Sequence, residues 1–281
     1  MPGSSITTSV FDFDQAGRIP VGPHIKHVVL EVGCNGHNLQ WNRPLPVAVP
    51  GLRRGWPLSN QSSVLLISFE PLWDKYALYL SHQRLSMLDD QQHFFELEKV
   101  YPPGWAVRGR HIVLPMAVGH PDGEATLHVA RSDGCSSLLP INISAASGAL
   151  RSWSFMRQRC ARQAGTRRVP LVSLQTVIKR WLPRHLTVAL VKIDAQGYDA
   201  QVAASAGRAA ARIDAFQLEV SSDACALPYD GAETCTASVA RLRAMGFDTP
   251  AQCARPRTWA SSTEHSSNCA TGDVRFYRTH L

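Results

Sequence analysis

Short apolar runs alternate along this chain with stretches whose apolar positions recur at helical spacing. Residues 27–32 (HVVLEV) and 64–70 (VLLISFE) carry apolar and β-branched side chains almost without interruption, the pattern of strands buried on both faces. Pro71 stops the second run. Residues 111–118 (HIVLPMAV), 187–194 (TVALVKID) and 213–220 (IDAFQLEV) predict three more such strands, and 169–172 and 274–278 two short ones. Residues 124–130 (EATLHVA) alternate instead. They predict an exposed antiparallel strand after the turn formed by Gly119, His120, Pro121, Asp122 and Gly123. Helical spacing covers residues 72–82. A second helix is predicted from the capping residue Ser173 to Trp181, ahead of Pro183. Asp199 opens an alanine-rich helix to Ala206, and residues 236–245 form a last helix closed by Gly246. Residues 41–62, rich in proline and glycine, read as loop, and 131–168 as loop with a basic helix.

Strands alternating with helices and buried on both faces predict a mostly parallel α/β sheet. The length, 281 residues, suits a single domain, with its core at about 27–220 and a cysteine-containing extension at about 221–281. In such sheets ligands lie beyond the carboxyl ends of the strands. Glu31, Glu70 and Asp194 stand at the ends of three runs or one residue before, and Glu219 near the end of a fourth. Buried acids are costly unless paired, so packing explains four of them poorly. A helix N-terminus facing an acid accounts for one at most.

Composition narrows the class. Apolar residues make up 44% of the chain and charged residues 18%, enough for a full core. No run of about 18 apolar residues occurs, which predicts no transmembrane helix. The opening residues, MPGSSITTSVFDFD, lack the basic and apolar regions of a secretory signal. The net charge is +7. Between residues 134 and 193 there is no acid but ten Lys and Arg residues, a block that suits an anionic partner. A solvated basic face is the plainer reading. Few aromatic residues interleave with the block, so nucleic acid is not expected. Cys225, Cys235, Cys253 and Cys269 fall in the last quarter without a CxxC pair. That disfavours zinc, and no metal is expected. It fits one or two disulfides in an oxidising compartment such as a secretory-pathway lumen.

The loop after the first run, VGCNGHNL, raises the choice of ligand. Glycines there suit dinucleotides and S-adenosylmethionine alike. A dinucleotide fingerprint needs GxGxxG and an acid about 20 residues on. Here the glycines read G-C-N-G, and the next strand-end acid after Glu31 is Glu70. That disfavours a nicotinamide-dependent oxidoreductase. S-adenosylmethionine needs close backbone and a carboxylate that accepts from both ribose hydroxyls, a task that suits Glu70.

The segments EVGCNG, ISFEP, PMAVGHPDGEATL, SSL, VPLVSL, VKIDAQGYD and FQLEV occur in this order over about residues 27–220. Together they resemble the FkbM-type family of S-adenosylmethionine-dependent methyltransferases. The resemblance implies a Rossmann-like class I methyltransferase fold, a mostly parallel seven-stranded sheet flanked by helices, with an antiparallel strand near one edge. It implies that Glu31, Gly33, Asn35 and Gly36 belong to the cofactor loop and that Glu70 holds the ribose. It puts Ala117 and Val118 by the adenine and Asp194 beside the transferred methyl. The chain departs from the family pattern at three places. Glu31 replaces the common Asp, His37 stands where glycine is expected, and Gln196 replaces a frequent Glu.

Lys192 and Asp194 are two apart on one strand and share a face. A lysine in a buried strand needs a partner, which Asp194 or Glu219 supplies. The three form a candidate catalytic group, because methyl transfer to an alcohol needs the acceptor held in line and its proton taken. A structural ion pair is the plainer reading. His111, His120 and His128 are further base candidates. The expected function is O-methylation of a hydroxyl on a glycan or small metabolite, with Arg167 and Arg168 steering an anionic acceptor. The alternative, raised by His37 and Gln196, is a catalytically inactive binding domain that keeps the fold.

Overall fold

The computed structural model describes residues 13–34, 44–45, 48–49, 52–73, 75, 107–108, 110–142, 160, 162–260, 263–264 and 269–279. The first half of the chain supplies β1 (His27–Val32), β2 (Val64–Phe69), β3 (Val107–Arg108), β4 (His111–Leu114), β5 (Ala117–Val118) and β6 (Gly123–Ala130). Then come β7 (Gln163–Val172), the short helix α1 (Leu174–Thr176), β8 (Thr187–Ile193), α2 (Asp199–Ala204) and β9 (Ala215–Ser221). The chain closes with α3 (Cys235–Ala244), β10 (Phe247–Asp248), β11 (Thr263–Glu264) and β12 (Ala270–Arg278). No helix among the described residues is long and apolar enough to cross a membrane.

The main sheet runs β10-β12-β9-β8-β1-β2-β4-β3, with β11 on the side of β12. Seven of these strands make the expected frame: β4, β2, β1, β8 and β9 are parallel, and β12 inserts antiparallel between β9 and β10. The two-residue β3 and β11 add short antiparallel margins. The strands form where the apolar runs predict them because both faces are covered. Every residue of β2 is buried, and in β8 only Thr187 is exposed. On one face Phe216 meets Phe247 edge to face, with ring centroids 4.8 Å apart. Truncating such a buried ring costs about 3–5 kcal/mol. On the other face Leu45, Leu52 and Leu58 of the proline-rich segment lie over Val29, Leu66 and Leu190.

Three expectations change. HIVLPMAV is two strands, because Pro115 has no N–H to continue the ladder. After it, β5 leaves the main sheet and pairs with β7 in a second, three-stranded sheet, β5-β7-β6. The short strand expected at 169–172 is the end of the ten-residue β7. Its first six residues are exposed and carry no strand-like pattern; backbone pairing with β6 holds them. The last strand begins four residues earlier than expected, at Ala270, where it pairs with β9 from Ser221 onward.

The caps expected at Ser173 and Gly246 form, and Thr234 supplies an unexpected one. Ser173 Oγ accepts from the Thr176 N–H at 3.1 Å, and Thr234 caps α3. Beyond α1 the chain continues as a π-helical turn over Val177–Trp181. Of the helix expected at 72–82, Leu72 is not helical, Trp73 and Lys75 are, and residues 74 and 76–82 lie outside the described residues.

Candidate active site

Strand order reverses at β1, which has β2 on one side and β8 on the other. A cleft opens beyond the carboxyl ends of these strands, the usual ligand position in a sheet of this kind. Its walls include Gly33 after β1, Glu70 after β2, Ala117 and Val118 of β5, and Asp194 and Gln196 after β8. Asn35, Gly36 and His37 lie outside the described residues.

Backbone geometry brings the strand ends together. The Asp194 N–H donates to the Val32 carbonyl at 3.0 Å, and the Gly33 N–H to the Phe69 carbonyl at 3.1 Å. Gly33 has φ 77°, and a Cβ there would fall 1.9 Å from the Asp194 carbonyl oxygen. Only glycine combines that φ with that approach. Glu70 is buried at the cleft wall, where its Oε1 accepts from the Leu72 N–H at 2.9 Å.

Beneath the cleft floor a polar row crosses the sheet. Register sets Glu31 beside Ser68 on one side and Lys192 on the other. Ser68 Oγ donates to Glu31 Oε2 at 2.9 Å and lies 3.0 Å from His111 Nε2. A hydroxyl has one hydrogen, so His111 Nε2–H is the donor in the second contact. Burial pushes the His111 pKa down to about 3, which keeps the ring neutral. Glu31 is therefore placed below the cleft, fully buried, rather than along its wall. His111 sits in the same row and not in the cleft.

At the end of β8 the three predicted catalytic residues converge. Lys192 Nζ lies 3.4 Å from Asp194 Oδ2, with the lysine side chain 5% exposed and the aspartate 27%. Burial opposes the Lys192 charge, but the carboxylates of Asp194, Glu31 and Asp273 outweigh it and hold its pKa above the ordinary value. Gln196 Nε2 reaches Asp194 Oδ1 at 2.7 Å and Glu219 Oε2 at 3.3 Å. Burial, followed by the charges of Asp194, Asp199 and Asp273, pushes Glu219 well above its usual range. Asp273 stands directly across from Glu219 in the β9–β12 ladder. Asp199 at the start of α2 is pushed up to about 7 by burial and then by Asp194, although it accepts the Ala195 and Gly197 N–H groups.

Three members of this site have weak sequence signals. Gln196 and Asp199 follow the KID segment; the sequence marks Gln196 only as a departure from the family pattern and Asp199 only as a helix start. Tyr229 comes from a distant loop, and its hydroxyl faces Gln196 Oε1 at 3.1 Å and the Cys135 carbonyl at 2.9 Å. Cys135 in turn forms a disulfide with Cys160, which fastens the Asp133–Ser137 stretch of the cleft wall.

Arg167 and Arg168 lie on β7, away from the acid cluster, and both are exposed. Arg168 pairs with Glu124 of β6 at 3.0 Å. Arg167 stands opposite Leu127, a cleft-lining residue, and so shares its face. The acid-free block of the sequence thus receives acids from other segments, and its Lys192 is buried among carboxylates.

A model of the methyltransferase FkbM domain matches residues 63–248, from just before β2 to the end of β10. No curated protein and no solved structure matches the chain.

Proposed function

The chain belongs to the FkbM methyltransferase family, and from that premise we propose that it transfers a methyl group from S-adenosylmethionine to a hydroxyl oxygen of a glycan or small metabolite. The observation that carries this reading is the cleft at the strand-order reversal, with the buried Glu70 on one wall and Asp194 and Gln196 on the other. When bound, the cofactor supplies an electrophilic methyl on a sulfonium sulfur. Glu70 is the acceptor for the ribose hydroxyls, a role that suits a carboxylate. Gly33 lets the loop backbone come close, and Ala117 and Val118 offer buried apolar surface to the adenine. Asn35 and Gly36 complete the loop in this reading. Glu31 supports the floor from below through Ser68 and Lys192.

On the acceptor side, Asp194 takes the hydrogen bond of the incoming hydroxyl while its other oxygen pairs with Lys192. Asp194 receives the proton as the oxygen–methyl bond forms, and Glu219, joined to it through Gln196, is the second acid of the group. Arg167, on the face shared with Leu127, and Arg168, paired with Glu124, draw an anionic acceptor towards the mouth. The test is incubation with methyl-labelled S-adenosylmethionine and a panel of hydroxylated glycans and metabolites. Label should reach at least one acceptor, and Asp194→Asn should abolish transfer with the circular dichroism spectrum unchanged. Cofactor binding with no transfer to any acceptor would favour the inactive binding domain.

A further inference from the structure

Gln196 adopts φ 53°, a conformation that residues other than glycine rarely take, where the chain leaves β8 for α2. Its side chain joins three elements. The amide nitrogen serves Asp194 after β8 and Glu219 on β9, and the amide oxygen faces Tyr229 ahead of α3. An amide nitrogen carries two hydrogens, one for each carboxylate. Turned over, the amide would set its oxygen against two acids and lose the Tyr229 donor. Burial, then Glu219, Asp194 and Asp199, raises the Tyr229 pKa, so its hydroxyl keeps its one proton, which it shares between the Gln196 amide oxygen and the Cys135 carbonyl. The two oxygens of Asp194 are held separately, Oδ1 by Gln196 and Oδ2 by Lys192.

We propose that Gln196 is a positioning residue for methyl transfer, one that ties Asp194, which lines the cleft, to the Glu219 carboxyl group outside the lining, while Tyr229 favours one orientation of its amide. The proposal rests on the reading that the cleft holds S-adenosylmethionine. The other charged groups around the pair are Lys192 from β8, Asp199 from α2 and Asp273 from β12. Four of these five groups, Asp194, Glu219, Asp199 and Asp273, are acids crowded around Lys192, and a glutamate at position 196 would add one more. The amide supplies donors there instead, so the difference from the family pattern makes the cluster compatible with two adjacent carboxylates.

Calorimetry with two ligands tests this on the full chain with its disulfides intact. S-adenosylhomocysteine lacks the transferable methyl, and sinefungin places a protonated amine there. The preference for sinefungin over S-adenosylhomocysteine therefore reads the negative charge that the acid pair presents. The variants are Gln196→Gly, which removes the amide and suits the backbone, and Tyr229→Phe, which removes only the hydroxyl. Across about pH 5.5 to 8, wild type should prefer sinefungin increasingly as Asp199 and then Glu219, both raised by burial, ionise. Gln196→Gly should lose about tenfold of that preference, read as the ratio of its own two affinities. Tyr229→Phe should lose part of it in the same direction. An unchanged preference in both variants across the pH range overturns the proposal and leaves Gln196 as part of a turn. Binding of neither ligand by folded wild-type protein overturns the cofactor reading, and this assignment with it.

Discussion

Gly33 lies directly against Asp194: a Cβ on the glycine would fall 1.9 Å from the aspartate's carbonyl oxygen. The contact joins the end of β1 to the end of β8, so it sets the floor of the cleft and the position of the acid that borders it. The obstacle is backbone, and no rotamer change relieves it. Gly33→Ala should therefore cost about 3 kcal/mol or more, from the clash and the positive φ together. Urea denaturation measures it, and a loss below about 1 kcal/mol would show that the two strand ends separate easily.

The cysteines give a second prediction. Peptide mapping without reductant should recover Cys225–Cys269, Cys235–Cys253 and Cys135–Cys160. The clustering in the last quarter of the chain anticipates the first two pairs. Cys225–Cys269 spans 44 residues and Cys235–Cys253 spans 18. Each should contribute about 3–4 kcal/mol through the unfolded state, so reduction should lower the melting temperature sharply. Protein from an oxidising host that yields these six cysteines as thiols would contradict the pairing.

Stability should respond to acid through His111. Its folded pKa of about 3 lies below the ordinary value of 6.5, so the unfolded chain takes up the proton first. The stabilising contribution is present above pH 6.5 and is lost as pH falls towards 3. Between pH 7 and 5 this group alone should remove about 2 kcal/mol. Asp199 works in the opposite sense. Its folded pKa, about 7, lies above its ordinary 3.8, so its contribution declines as pH rises through that window. His111→Gln isolates the first effect, because an amide still donates to Ser68 but does not titrate. Between pH 7 and 5 the variant should lose about 2 kcal/mol less than wild type; equal losses would place the acid sensitivity elsewhere.

The acid at the end of β8 should separate fold from chemistry. Asp194→Asn removes one of three carboxylates that hold Lys192, leaving Glu31 and Asp273. Asp194 is partly exposed, so the stability cost should be modest, about 1–2 kcal/mol rather than the larger loss of a fully buried pair. Methyl transfer should fall at least about a hundredfold if Asp194 holds the acceptor. Turnover at the wild-type rate would remove Asp194 from the chemistry.

The parts of the fold legible in the sequence are those fixed by local burial. The runs that became β1, β2, β8 and β9 are almost unbroken apolar segments, and the acids after β2 and β8, Glu70 and Asp194, mark the cleft edge. Residues 163–168 became strand without any such pattern, because β6 supplies hydrogen bonds and solvent covers the side chains. Pro115 announces the break between β4 and β5, but an eight-residue apolar run hides it until the two sheets are seen apart. Glu31 looks like a cofactor-loop acid, yet its role as a buried neighbour of Ser68 and Lys192 depends on strand register. Tyr229 is 33 residues from Gln196 and Cys160 is 25 from Cys135, separations that only tertiary structure closes.

The central claim is that the cleft between the ends of β1, β2 and β8 binds the methyl donor, and Glu70 offers the most direct measurement of it. Titration of the oxidised protein with S-adenosylhomocysteine should show saturable binding at one site, and Glu70→Ala should weaken it by about 1–3 kcal/mol, the loss expected when a charged group no longer accepts the ribose hydroxyls. Folded protein that binds no S-adenosylhomocysteine, or a Glu70→Ala variant that binds it as tightly as wild type, would contradict the account.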